Sequence, residues 1–412
     1  MKVYLVGGAV RDERLGIPVA ERDWCVVGST PEALLTLGYK PVGKDFPVFL
    51  HPESGEEYAL ARTERKIAAG YHGFQFHADS DVTIEDDLRR RDLTINAIAV
   101  DEQGTVVDPF GGVADIEARV LRHVSDAFVE DPVRILRVAK FAARFAALGF
   151  TVADDTVELM SRMVENGEVD ALVEDRVWKE TQAALTADNP QVFFDVLRRC
   201  GALKQLYPEV DQLFGVPQPP QWHPEIDCGI HAMMVLEQAA KLSPDGDVRF
   251  AALVHDLGKA TTDKNLLPAH HGHEKRSARL VQKLAARLPI PNAYRDLAVL
   301  VAEYHGHCHR AFELKASTLM RVLKKTDAFR RPERFEKFVV TCEADARGRT
   351  GLEDKPYPQA DFLRDALKSA TGISAADIAK DNISGAEIGQ AIDDARVRAL
   401  ESYTSSHQVP KK

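Results

Sequence analysis

Short runs rich in β-branched residues crowd the first 125 or so positions of this chain and then stop, and an almost unbroken helical pattern takes over at Asp131-Pro132. That switch sets the expected fold class: an α/β domain followed by a largely all-α remainder. Val3 to Val6, Trp24 to Val27, Glu57 to Ala61, Asn96 to Val100 and Thr105 to Val107 read as strands, and Asp131 reads as a helix N-cap with Pro132 at the first helical position. A length of 412 residues with 45% hydrophobic side chains suggests two or three domains with proper cores. Pro217, Pro219, Pro220 and Pro224 cannot continue a helix, so a boundary is expected between Phe214 and Pro224, with a weaker break from Asp354 to Pro358. The segments so delimited are 1–130, 131–215, 225–350 and 351–412, the last ending in a polar stretch, Ser402 to Lys412, expected to fray.

Lys plus Arg number 53 against 63 Asp plus Glu, a net charge of −10, which excludes a basic arm coating nucleic acid indiscriminately and leaves RNA to local basic faces. The five cysteines, Cys25, Cys200, Cys228, Cys308 and Cys342, are odd in number and scattered, which argues against a disulfide framework or a structural zinc site and for a reducing cytoplasm. MKVYLVGG is too short for a signal-peptide core and no apolar run reaches about 18 residues, so no membrane is expected. Monomer and homodimer both stay open.

Val3 to Asp12 reads as a strand, Gly7-Gly8, then a helix start with Arg11 one turn in. Such glycines let backbone N–H groups approach phosphates, and a helix N-terminus favours anions. Glu21 and Asp23 stand at i and i+2 before an apolar run, the spacing that puts two carboxylates on one face of a strand, as a hard ion such as Mg²⁺ needs. Glu57, opening the next strand-like run, is a candidate third carboxylate.

With these residues stand Arg90-Arg91-Asp92-Leu93-Thr94-Ile95-Asn96-Ala97, Asp108-Pro109-Phe110-Gly111-Gly112 and Glu130-Asp131-Pro132-Val133-Arg134-Ile135-Leu136-Arg137. In order and spacing the chain resembles the class II tRNA nucleotidyltransferases, the bacterial CCA-adding enzymes and their poly(A) polymerase relatives. Residues 44–51 and Trp222-His223-Pro224-Glu225 extend the likeness toward the multifunctional CCA proteins over nearly the whole chain. The resemblance implies an α/β nucleotidyltransferase head, a helical neck, an HD-type body and a helical tail. It implies phosphate contacts from Gly8 and Arg11, Mg²⁺ held by Glu21 and Asp23, and nucleotide contacts from Arg91, Arg137 and position 140. The first carboxylate is usually Asp, so Glu21 adds a methylene; position 140 is usually Arg, and Lys140 keeps the charge without the bidentate fork. The implied reaction is in-line attack of the tRNA 3′-hydroxyl on the α-phosphate of CTP or ATP.

On the helix after Pro132, Arg134, Arg137, Lys140 and Arg144 fall within an arc of about 120°. Asp131 and Arg134, one turn apart, offer an acceptor beside a donor. Cytosine and adenine present an amine beside a ring-nitrogen acceptor, whereas uracil and guanine present a carbonyl beside an N–H, so this pair should accept C and A and refuse U and G. The resemblance agrees, since the class II enzymes use an E-D-x-x-R element as an amino-acid template.

His231, His255, His270, His271, His273, His305, His307 and His309 crowd a single stretch. His255-Asp256 closes the apolar run Phe250 to Val254, with His231 before it and His273 and His305 after, a donor set suited to Ni²⁺ or another transition metal. The pattern resembles the HD phosphohydrolases, H…HD…D, with Asp345 as the final ligand, and implies phosphatase, 2′-nucleotidase and 2′,3′-cyclic phosphodiesterase activity. The alternatives are a poly(A) polymerase, an enzyme adding only CC or only A, a phosphohydrolase with an impaired transferase site, and a structural RNA-binding protein.

Overall fold

The computed structural model describes residues 1–42, 48–66, 74–77, 81–373 and 385–407; half of the 44–51 run, residues 44–47, thus lies outside the described residues. The chain divides into two compact units, Met1–Ala184 with Val192–Leu206, and Leu185–Gln191 with Tyr207–Lys412.

The first unit begins β1 (Lys2–Val6), α1 (Gly8–Leu15), β2 (Asp23–Val27), α2 (Pro31–Thr36), β3 (Lys40–Val42), β4 (Val48–Leu50) and β5 (Glu57–Leu60). β6 (Thr63–Lys66) and β7 (Phe74–His77) pair with each other, and α3 (Ile84–Arg89), β8 (Ala99–Asp101), β9 (Val106–Val107) and α4 (Gly112–Ala118) follow. One sheet runs β3-β4-β5-β2-β1-β8-β9, with β2 and β5 parallel and the other pairs antiparallel. Its apolar faces bury Tyr4, Val6, Cys25 and Ala99 against Leu88 on one side, and Val26, Phe49 and Leu60 against Leu34 on the other. Such alternation is what period-2 strands with two covered faces require.

Four of the expected strands form as read. The fifth begins late, because Thr94–Asn96 coils into a 3₁₀ turn in which Asn96 Nδ2 donates to Asp92 Oδ1 at 3.0 Å, and pairing starts only at Ala99. The unit continues through β10 (Val120–Leu121), α5 (Val133–Phe145), β11 (Thr151–Val152), α6 (Asp154–Glu165), α7 (Glu174–Leu185), α8 (Gln191–Arg199) and α9 (Ala202–Leu206). α5 starts two residues after Asp131, since Asp131 closes the preceding 3₁₀ turn in an extended conformation; its Oδ1 still accepts the Val133 N–H at 3.1 Å.

The second unit holds α10 (Pro208–Asp211), α11 (Cys228–Leu242), α12 (Gly246–Val254), α13 (His273–Arg287), α14 (Asn292–His309), α15 (Ala316–Lys325), α16 (Pro332–Arg347), α17 (Pro358–Thr371) and α18 (Gly385–His407). α12 is buried except at the half-buried Asp247, its buried residues are apolar save for Arg249, and it packs against α11, α14 and α16. The proline run lies inside this unit, pinned by a bridge between Pro217 and Asp227. Ser402–His407 does not fray: α18 continues to His407, with the Tyr403 ring 5.1 Å from Phe362 and its hydroxyl donating to the Phe362 carbonyl. All five cysteines are buried and unpaired, and no described helix is long and apolar enough to cross a membrane.

Candidate functional site

β1 delivers the chain into Gly7 at φ +69°, and α1 opens at Gly8. The Gly7 dihedral favours glycine, and a Cβ there would stand 2.7 Å from Arg91 Nη1 and push the guanidinium aside. Arg11 is buried on the rings of Phe141 and Phe145, 5.2 and 5.0 Å from their centroids; its Nε donates to Asp12 at 2.7 Å and its Nη1 to the Asn96 side chain. Burial lowers the Arg11 pKa, with Asp12 opposing. Arg91 donates to Asp87 at 3.1 Å and to the Asn96 carbonyl at 3.3 Å, and Arg137 Nε donates to Asp92 at 2.7 Å. Burial pushes the Asp92 carboxyl up, but the charge of Arg137 and hydrogen bonds from Asn96, Arg137 and the Leu93 N–H outweigh it and hold it down at about 2. A buried carboxylate thus stands behind each of three arginines that Asn96 and Asp92 link to the glycine turn.

Asp23 is the register partner of Val6 on one side and Glu57 on the other, so Asp23 and Glu57 share a face beside the turn. Burial raises the Asp23 carboxyl pKa, Arg91 lowers it and the charge of Glu21 raises it further. Glu21 lies in the connection ahead of β2 and is exposed, so strand alternation does not place it, contrary to the expectation from spacing. These oxygen donors suit a hard ion, although Glu21, Asp23 and Glu57 are not among the described groups whose ligand atoms lie within 4.8 Å of one another.

The basic stripe of α5 is paired throughout. Lys140 Nζ lies 2.6 Å from Glu180, and Arg144 donates to Asp12 at 3.0 Å. Arg134 is buried and donates to the carbonyls of Ala127 and Arg90, both at 2.7 Å, while Asp131 accepts from Arg176 at 2.8 and 3.2 Å. Asp131 and Arg134 therefore face different partners here.

In the second unit His231, His255 and Asp345 form one three-ligand group and Asp256, His273 and His305 another. His231 Nε2 lies 3.1 Å from Asp345 Oδ1, and His255 Nε2 lies 3.2 Å from Asp256 and 3.7 Å from Asp345. His273 Nε2 and His305 Nε2 lie 3.2 and 3.6 Å from Asp256 Oδ1. The other ring nitrogens face backbone carbonyls: His255 Nδ1 lies 2.7 Å from Ala252, His273 Nδ1 2.8 Å from His270 and His305 Nδ1 2.9 Å from Val301. That arrangement turns each Nε2 inward. His255 Nε2 and Asp256 Oδ1 are buried without a hydrogen bond, which is how a cation site fits among these donors. Burial lowers the His255 pKa, but the charges of Asp256 and Asp345 prevail and raise it to about 9; burial carries His305 down to about 3.

Residues that carried no assigned role support these ligands. Glu225 lies 3.1 Å from His231 Nδ1, His309 Nε2 lies 2.6 Å from Asp345, and Lys259 Nζ lies 2.7 Å from Asp256 and 2.8 Å from Gln218. Gly258 allows the approach of this turn to α13, since a Cβ there would meet the His273 carbonyl at 2.3 Å. In the first unit Asp12 and Asp92 lay inside the motifs without an assigned role, and Asp87 carried no signal beyond an acidic helix start.

Three family models match: "Poly A polymerase head domain" over 3–122, "Probable RNA and SrmB-binding site of polymerase A" over 149–214, and "HD domain" over 229–331. The chain is 64% identical over 401 residues to the multifunctional CCA protein of Thioalkalivibrio sulfidiphilus, covering 97% of this chain and 98% of the relative. It is 58% identical to that of Teredinibacter turnerae at the same coverage. Among solved structures it resembles the Thermotoga maritima CCA-adding enzyme complexed with tRNA, with a TM-score of 0.63 and 20% identity over 98% and 91% of the two chains. The Bacillus stearothermophilus CCA-adding enzyme in complex with CTP gives 0.62 and 22% over 97% and 88%. Similarity at that identity speaks for the fold.

Proposed function

Since the chain belongs to the family of multifunctional CCA proteins, we propose that it adds C, C and A to the 3′ end of tRNA from CTP and ATP without a nucleic-acid template. The observation that carries this reading is the Gly7-Gly8 turn with Arg11, Arg91 and Arg137 linked to it and Asp23 beside it. Arg11 and Arg91, with the N–H groups at the start of α1, bind the triphosphate; Arg137 and Lys140 contact the nucleotide. Glu21 and Asp23 would hold Mg²⁺, with Glu57 available as a third carboxylate, and the ion would supply charge stabilisation for the 3′-oxygen and the departing pyrophosphate. The new bond joins the 3′-oxygen to the α-phosphorus and the bond to pyrophosphate breaks.

Asp131 and Arg134 select the base. Arg134 exchanges the Ala127 and Arg90 carbonyls for the ring-nitrogen acceptor of C or A, and Asp131 exchanges Arg176 for the exocyclic amine. A uracil or guanine edge would set a carbonyl against the Asp131 carboxylate.

His231, His255, Asp256 and Asp345 form a second, hydrolytic centre, with His273 and His305 extending it on the far side of Asp256. These residues would hold Ni²⁺ or another transition metal, which would supply Lewis-acid activation of a water near neutral pH, and the centre hydrolyses 2′-phosphates, opens cyclic phosphates and removes 3′-phosphates, which frees 3′-hydroxyls that were blocked. The test is incubation with Mg²⁺, each nucleoside triphosphate, and tRNA transcripts ending before CCA, after C and after CC. Addition of C, C and then A, stopping there, is expected, and Arg134→Ala should admit UTP and GTP. Long A tails from the native protein would replace this reading with a poly(A) polymerase.

A further inference from the structure

Trp222 keeps 65% of its surface exposed, which is unusual for an indole, and it lines the same cavity, of about 440 Å³, as Asp256, His273, His305 and Asp345. Its position is fixed by the proline run. The Pro219 carbonyl accepts the N–H groups of Trp222 and His223 at 3.1 and 3.0 Å, and Gln218 N donates to the Ile226 carbonyl at 2.7 Å. Arg349 then ties the loop to the ligands, because its Nη1 donates to the Trp222 carbonyl and its Nη2 to Asp345 Oδ1, both at 3.4 Å.

Cations share this cavity with the ring and the ligands. Arg349 has a buried Nε without a hydrogen bond, Lys259 is buried against Asp256, and both line the cavity. A phosphate ester alone needs the cations and the ligands but has no use for an aromatic ring. A nucleotide phosphorylated on its ribose needs both, since every base has a face that stacks on an indole. We propose that Trp222 is the base-stacking platform of the hydrolytic centre, and that this centre therefore selects ribose-phosphorylated nucleotides over aliphatic phosphate esters. The proposal rests on the phosphohydrolase reading above.

Two readouts separate the two. The first is the ratio of kcat/KM for 2′-AMP to that for glycerol 2-phosphate. Base stacking predicts that Trp222→Ala lowers this ratio about tenfold, through KM, and that Trp222→Phe restores most of it. The second is fluorescence of the Zn²⁺-loaded protein, in which 2′-AMP should quench an emission component that is absent from Trp222→Phe, while glycerol 2-phosphate should not. Trp24 and Trp178 remain in both proteins, so the difference belongs to Trp222. An unchanged ratio in Trp222→Ala, or quenching that persists in Trp222→Phe, overturns the proposal. If the native protein hydrolyses neither ester the phosphohydrolase reading fails, and the quenching still decides whether Trp222 receives a base. Repeating the ratio with a short RNA ending in a 2′-phosphate distinguishes the sources: an equal fall assigns the stacked base to an RNA terminus, and a fall for 2′-AMP alone assigns it to the free nucleotide.

Discussion

Glu21 reaches one methylene further than an aspartate would, and it does so from an exposed connection rather than from the ladder of β2. Its backbone can therefore take up the extra length, whereas Asp23 is fixed by pairing with Val6 and Glu57. Glu21→Asp should accordingly change CTP incorporation by less than about tenfold, and Asp23→Asn should lower it by more than about a hundredfold. Single-turnover incorporation over a Mg²⁺ titration measures both. A large gain in Glu21→Asp would mean that the natural site is impaired. The identities of these residues were legible because glycines, paired carboxylates and RRD stand at fixed spacing. Their supports were harder to see: Asp87 anchors Arg90 and Arg91 from a helix whose acidic start reads only as capping.

At the scale of elements, Asp92 joins the turn after α3 to α5 through Arg137. Its carboxyl is held at about 2, below its ordinary 3.8, so it stabilises the fold above about pH 4, and this contribution is lost as pH falls toward 2. Asp92→Asn should cost about 2 kcal/mol at neutral pH, a deficit that shrinks as the native protein is acidified through that window. Denaturant titrations at pH 7, 4 and 3 follow it, and a pH-independent deficit would assign the loss to packing. The spacing on α5 made the basic face visible, yet it could not show that Arg134 is buried on the Arg90 carbonyl or that Arg176 occupies Asp131, because those partners lie 44 and 45 residues away in sequence. The late start of β8 escaped for a related reason, as Asn96 belongs to the Asp92 network and not to a strand.

Over the whole molecule, the switch from short strands to helices did announce an α/β part followed by a helical one, and the histidine-rich stretch did mark side chains that the fold gathers into three-ligand groups. How contacts divide the chain was not legible, since Leu185–Gln191 joins the second unit from within the first part of the sequence. Two centres in separate units should fail separately. His255→Ala should abolish phosphatase activity while nucleotide addition persists, and chelation should stop both, with Mg²⁺ restoring addition and transition metals restoring hydrolysis; equal loss of both activities in His255→Ala would sink the two-site picture. The five buried thiols have their own consequence. Burial pushes Cys25 and Cys228 up to about 12, so they are neither accessible nor ionised in the native state. A maleimide reacts with such a chain only as it opens, and with Cys25 and Cys200 in one unit and Cys228, Cys308 and Cys342 in the other, the mass tags acquired over time amount to a clock for each unit's excursions from the folded state.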